Sequence, residues 1–241
     1  MDVIAYSRLS TSFCSATVIW TWSTDMATTA AKKSTLVPNA TYAKPATRAQ
    51  VQRAADRLKE HGIDTIVVPN GAEALRTLEA LIPEKSAVLL ATSETLNQIG
   101  FSKEVNESGR YESIRKRLLA LDRKTQGGEW RQLSQSPQYV VGSVHAVTEL
   151  GDLLIASATG SQLGPYSFGA EKVVWVVGAQ KVVPTLEDGL KRLREYSLPM
   201  EDARALVAYG VNSAINKTLI ISREAIPGRA TVILVDEVLG F

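Results

Sequence analysis

Two stretches of this sequence gather residues able to bind or transform a small ligand. Ser143, His145, Thr148 and Glu149 fall in the run Tyr139–Glu149, and Thr159-Gly160-Ser161-Gln162-Leu163-Gly164-Pro165 follows shortly after. Hydroxyls, an amide and glycines at strand ends present backbone N–H groups and short polar side chains to a ligand. Glu149 closes a long apolar run, Tyr139–Val147, and opens the tight acidic turn Glu149-Leu150-Gly151-Asp152. A carboxylate half desolvated at such a strand end can act as base or nucleophile, and it can equally be a turn carboxylate meeting water. Thr148 and Ser143 then either hold that carboxylate or pair across the hairpin. His145 shares a strand face with Ser143 and Val147, and as a lone histidine it reads as a hydrogen-bonded packing residue. Lys181 and Lys217 stand just after and just before apolar strands, placed to meet a carboxylate or phosphate or to carry surface charge. Upstream, Thr92 or Ser93 is a good N-cap for a helix starting at the end of a strand, a position that suits anions and also suits plain capping. Gly142 and Gly160 complete the candidate binding set, with Ser93, Thr95, Ser143, Thr148, Ser161, Gln162, Lys181 and Lys217.

The elements that must position these groups follow from periodicity. Val51, Ala54, Ala55 and Leu58 recur on one helical face, and Gly62 sits at the C-cap. Ile63–Val68 is a β-branched strand, Ala72–Leu81 a second amphipathic helix, and Ser86–Ala91 an uninterrupted apolar strand. The lack of polar alternation in that strand predicts cover on both faces, as in a parallel sheet, and strand–helix–strand in this order predicts a right-handed crossover. Ser108–Asp122 reads as one basic helix whose Arg115-Lys116-Arg117 run is a solvated face. Leu153–Ala158 and Val173–Val177 are further strands, Leu186–Tyr196 is a helix broken at Pro199, and Glu201–Tyr209 is a shorter one. Thr218–Ile221 and Thr231–Val235, joined through Pro227-Gly228, read as a closing hairpin.

Charge and cysteine content narrow the function. The 241 residues are 45% hydrophobic and 22% charged with a net charge of +2. Residues 1–48 hold five basic and two acidic groups, which leaves 22 basic and 23 acidic groups in the remainder. A near-neutral folded part argues against a nucleic-acid footprint. Cys14 is the sole cysteine, so no internal disulfide forms and a reducing, cytoplasmic setting is expected. One thiolate cannot ligate an iron–sulfur cluster, and His61 and His145 show no zinc spacing, so no cofactor is expected on this chain. The apolar run Phe13–Trp20 is far shorter than the ~20 residues of a membrane span and lacks a basic leader. Residues 1–48 read as a disordered extension, Ser/Thr-rich and acid-poor like a transit peptide though scarce in Arg, or with residues 1–25 wrongly joined ahead of a start at Met26, and residues 49–241 read as a single domain. There is no G-x-G-x-x-G after a strand, no G-x-x-x-x-G-K-[ST] and no G-x-S-x-G elbow.

Taken together, Val141-Gly142-Ser143-Val144-His145-Ala146-Val147-Thr148-Glu149, Ile155-Ala156-Ser157-Ala158-Thr159-Gly160-Ser161-Gln162 and Val174-Trp175-Val176-Val177-Gly178-Ala179-Gln180-Lys181 resemble the LUD-domain (lactate utilisation) family. Ser93-Glu94-Thr95 with Ile99-Gly100, and the ending Ile233–Phe241, fit the same pattern, over roughly Val51 to Phe241. Leu150 follows Glu149 where the family more usually has a small polar residue. The resemblance implies a single α/β domain around a mixed, mostly parallel sheet with flanking helices, similar to the sugar-phosphate isomerase and CoA-transferase superfamily. It implies a subunit that oxidises L-lactate to pyruvate beside separate iron–sulfur partner proteins, with a small carboxylate substrate; self-association is compatible with it. The superfamily's strand-end glutamate matches Glu149 as catalytic carboxylate. The alternative is a stand-alone enzyme or binding module for a phosphorylated or CoA-linked small molecule. The missing glycine-rich loop speaks against CoA.

Overall fold

A computed structural model describes residues 34–241. Helix α1 (Arg48–Glu60) starts at a capping box in which Thr47 N–H donates to Gln50 Oε1 at 3.0 Å and Gln50 N–H to Thr47 Oγ1. It buries Val51, Ala54, Ala55 and Leu58, the face the period predicts. The chain continues through β1 (Asp64–Val68), α2 (Gly71–Leu81), β2 (Ala87–Leu90), α3 (Glu94–Gln98), α4 (Phe101–Glu107), β3 (Glu112–Ser113), α5 (Ile114–Ala120) and α6 (Gly127–Gln135). Then follow β4 (Tyr139–Gly142), β5 (Ala146–Thr148), β6 (Leu153–Ser157), β7 (Lys172–Gly178), β8 (Val182–Val183), α7 (Leu186–Arg192), α8 (Leu198–Tyr209), β9 (Lys217–Ile221) and β10 (Ala230–Val235).

Six strands form a parallel sheet in the order β1-β10-β7-β4-β2-β3. Both faces are covered, as the apolar strands require. Val173, Trp175 and Val177 pack toward α1, α5 and α6, while Val174 and Val176 pack toward α2, α3 and α4. A second, mixed sheet runs β8-β5-β6-β9, with β6 antiparallel to both β5 and β9. The β5–β6 hairpin turns at Gly151, whose φ of 90° suits glycine. Val147, Leu153 and Ile155 of this sheet share one core with Leu58 and Trp175, so α1 is clamped between the two sheets. The result is the expected α/β domain. No helix among the described residues is long and apolar enough to cross a membrane.

Several expected elements are cut differently. The single strand Tyr139–Val147 is two, β4 and β5, because Ser143-Val144-His145 carries the chain from one sheet to the other. The closing hairpin does not exist: β9 pairs with β6 and β10 sits between β1 and β7. The helix expected over Ser108–Asp122 is interrupted, since Gly109 takes φ 76° and Ser113 pairs in the edge strand β3 before its hydroxyl caps α5. Pro199 does not break the later helix. It lies in the first turn of α8, where a missing N–H costs nothing, and a π-helical turn, Leu193–Ser197, joins α8 to α7. Of the expected disordered extension, residues 1–33 lie outside the described residues. Residues 39–46 are docked: Asn39 N–H donates to Glu195 O at 2.8 Å and Ala46 N–H to Ala179 O at 3.2 Å.

Candidate functional site

Strand β2 leads on to β3 at the sheet edge, whereas β4 leads the chain back across the sheet toward β7. Neighbouring parallel strands whose connections depart in opposite directions leave a crevice at their carboxyl ends. A cavity of about 780 Å³ opens at that place. Ser93 reaches it from the loop after β2, Ser143 and His145 from the segment after β4, and Ser157 from the end of β6.

Lys181 forms the floor. Strand β7 ends at Gly178, and a 3₁₀ turn, Ala179–Lys181, aims the lysine back across the strand ends. The residue is 2% exposed yet lines the cavity. Its Nζ donates to Thr95 Oγ1 at 2.9 Å and to Ser143 Oγ at 3.0 Å. Ser143 Oγ in turn donates to Val176 O at 2.7 Å, and Thr95 Oγ1 to Leu239 O at 3.2 Å. Among the described residues no carboxylate pairs with this amine. Burial, and then the nearby Arg192 charge, push the Lys181 amine well below the usual lysine range.

A buried guanidinium lies behind it. Arg192 is fully buried, and its Nε donates to Gln180 O at 3.2 Å. Its Nη1 donates to Ser197 Oγ at 3.0 Å and to the His145 carbonyl. Its Nη2 has no partner among the described residues, and the guanidinium stacks 5.0 Å from the Tyr196 ring centre. Desolvation lowers its pKa to about 10. His145 completes the group. Its Nδ1 accepts from Ala156 N–H at 3.1 Å, which assigns the ring hydrogen to Nε2. Burial, with the charges of Lys181 and Arg192, takes its pKa down to about 3, so it is neutral at physiological pH.

The mouth is also basic. Arg115 Nη1 lies 3.4 Å from Thr92 Oγ1 and Arg123 stacks 4.2 Å over Trp130, and both line the cavity. Neither forms an ion pair among the described residues. Arg204 is different, being held by Glu201 at 2.6 Å. Arg115, Lys116 and Arg117 are all exposed, as a solvated face requires; Arg115 also borders the cavity, while Arg117 pairs outward with Glu112 at 2.6 Å.

Of the residues expected at the site, Ser93, Ser143, Ser161, Gln162 and Lys181 line the crevice, and Thr95 holds Lys181 from behind. The Ser161 loop is pinned inward, because Ser157 Oγ donates to Gln162 Oε1 at 2.9 Å and accepts from Gly160 N–H at 2.8 Å. Gly142 serves by having no side chain, as a Cβ there would stand 1.7 Å from Tyr166 Oη. Lys217 and Gly160 brace the loop from outside: Lys217 Nζ donates to Thr159 O at 2.7 Å, and Gly160 takes φ 87°.

Glu149 and Thr148 do not join the others. Glu149 turns toward α1, accepting from Arg53 Nε at 2.7 Å and Gln50 Nε2 at 2.8 Å. Partial burial would raise its pKa, but those two donors and the Arg53 charge outweigh that and lower it. A carboxylate so held is a poor base, and Glu149 stands outside the crevice lining. Thr148 Oγ1 accepts from Asp152 N–H at 2.9 Å, closing the hairpin.

Fold and crevice together define an open α/β protein with a cavity at the switch point of a parallel sheet. The chain belongs to the LUD-domain family, whose model matches residues 51–235. A solved structure of a DUF162 family protein from Deinococcus radiodurans is also similar, at 14% identity and a TM-score of 0.49, over 79% of this chain and 99% of that one. No curated protein matches. Among the described residues no three His, Cys, Asp or Glu side chains cluster as a metal site.

Proposed function

We propose that the crevice binds a small anionic metabolite, a 2-hydroxy or 2-oxo carboxylate, and that the chain is the substrate-binding component of an L-lactate utilisation system. The observation that carries this reading is the charge arrangement. Arg115 and Arg123 at the mouth line the cavity without ion-pair partners among the described residues, and the Lys181 amine lines it as a hydrogen-bonding group. A carboxylate satisfies such guanidinium groups in a bidentate fashion. The Ser143 hydroxyl and the His145 Nε2–H are then suited to an adjacent hydroxyl or carbonyl oxygen. Oxidation of a 2-hydroxy acid releases two electrons and two protons. A neutral amine or imidazole beside the hydroxyl suits the proton transfer, and the electrons need an acceptor. The one cysteine of this chain cannot hold an iron–sulfur cluster, so such clusters belong to partner proteins.

One observation favours a second reading. A cavity of about 780 Å³ approaches the upper end of the roughly 300–1,000 Å³ typical of small-molecule sites and is roomy for a three-carbon acid. A phosphorylated or CoA-linked small molecule would use the same cations and more of the volume. Thermal unfolding of the full chain with L-lactate, pyruvate, a sugar phosphate and a CoA ester separates the two. Ligand at 100 times its Kd stabilises the fold by about 2.7 kcal/mol. A shift with lactate or pyruvate supports the first reading, and a shift confined to phosphate-bearing ligands replaces it with the second.

A further inference from the structure

Lys181 makes a hydrogen-bond pattern that suits the neutral form of its amine. Ser143 Oγ commits its hydrogen to Val176 O at 2.7 Å, and Thr95 Oγ1 donates to Leu239 O at 3.2 Å. With those donations made, both hydroxyls accept from Nζ, at 3.0 and 2.9 Å. A neutral amine has two hydrogens, and these two acceptors use both. Its lone pair is then left on the side away from the hydroxyls, where the residue lines the cavity. An ammonium would carry a third N–H with no acceptor among the described residues, at a residue 2% exposed. The charge of buried Arg192 disfavours the ammonium further.

We infer that Lys181 is a nucleophile that forms an imine with a carbonyl substrate in the crevice. This rests on the reading of the crevice as the ligand site, and it extends that reading from binding to covalent chemistry. Nζ attacks the carbonyl carbon, and the C–N bond forms as the C=O π bond opens to a carbinolamine. The second N–H is then lost as the hydroxyl departs as water, leaving C=N. The step needs no oxidant or reductant. The His145 Nε2–H is suited to donate to the departing oxygen, since the opposite nitrogen is fixed as an acceptor by Ala156. The bonds from Thr95 and Ser143 hold the nucleophile in place. These two are positioning residues. A carbonyl compound that carries an anionic group, such as a 2-oxo acid, fits the class best, because Arg115 and Arg123 line the same cavity as Lys181.

The test is reductive trapping. The full chain is incubated with pyruvate, or with the neutral control glycolaldehyde, in the presence of cyanoborohydride, and the modified lysines are mapped by peptide mass spectrometry. Each unit by which a lysine pKa falls raises its neutral fraction about tenfold near pH 7, so labelling at Lys181 should exceed that at any surface lysine by at least that factor. The adduct should vanish in Lys181→Arg, persist in Lys217→Arg, and form more slowly in Ser143→Ala and Thr95→Val. If pyruvate shifts the unfolding temperature but leaves Lys181 unmodified, the imine is overturned and the binding site stands. If glycolaldehyde labels Lys181 and pyruvate does not, the nucleophile stands and the carboxylate reading falls. Neither a shift nor an adduct with either probe overturns both.

Discussion

Gly142 lies against the hydroxyl of Tyr166, so close that a Cβ would stand 1.7 Å from the phenolic oxygen. Tyr166 cannot yield, because it is fully buried and meets Trp175 in an edge-to-face contact 5.4 Å between ring centres. Gly142→Ala should therefore destabilise the fold by about 1–3 kcal/mol, the range for an overpacked core. It should also disturb the adjoining Ser143. Urea unfolding of the variant measures the first effect, and an unchanged midpoint would show that the ring can move aside.

Lys181 costs stability in exchange for its chemistry. Its folded pKa is lowered from the ordinary 10.5, so between those values the unfolded chain binds the extra proton, and stability rises with pH. Lys181→Met removes the buried amine at similar volume and should stabilise the protein at neutral pH by about 1 kcal/mol, while abolishing ligand binding. A variant that unfolds earlier than the parent would contradict the neutral, strained amine.

His145 sets an acid limit. Its pKa falls from 6.5 in the unfolded chain to about 3 in the fold, so the folded state binds fewer protons in that window. Its contribution is present above pH 6.5 and is lost progressively as pH falls toward 3. In His145→Asn the amide oxygen can still accept from Ala156 N–H, and the slope of unfolding free energy against pH over this range should be shallower than in the parent. Parallel slopes would assign the acid sensitivity to other groups.

Glu149 should prove structural. Its partner Arg53 is largely exposed at 57%, and exposed ion pairs contribute about 0–1 kcal/mol. Glu149→Gln should lower stability within that range and leave ligand-induced thermal shifts intact. Loss of those shifts would restore the carboxylate to the site.

Much of the domain was legible in order of residues alone. The α1 face, the crossover from β1 through α2, and the two-sided burial of β2 all follow from local period, and α1 and β2 appear where that period places them. What escaped is non-local. Nothing in Tyr139–Val147 marks the change of sheet at Ser143, because both halves are apolar and the partner strands lie far along the chain. β9 and β10 look like a hairpin because their separation is short, yet β10 is buried between β1 and β7 while β9 forms an exposed edge beside β6. At the site, the hydroxyls and Lys181 could be picked out from their places at strand ends. Arg192 could not, since basic residues in a last helical turn are ordinary and its acceptors, the carbonyls of His145 and Gln180, leave no side-chain signature. Glu149 stands by its turn as expected, and its partners, Gln50 and Arg53 of α1, lie too far along the chain to be read from the local sequence.

The crossing of the chain between the two sheets divides the crevice into parts with separate ancestry in the fold. Lys181, Thr95 and Ser143 hang on the ends of the parallel strands, whereas Ser157, Gln162 and the 213–215 segment belong to the small sheet and its loops. Grip and selectivity are thereby modular. The loops over 158–162 and 210–216 could be exchanged to admit a longer, branched or more heavily charged guest, while the lysine anchor beneath kept its geometry.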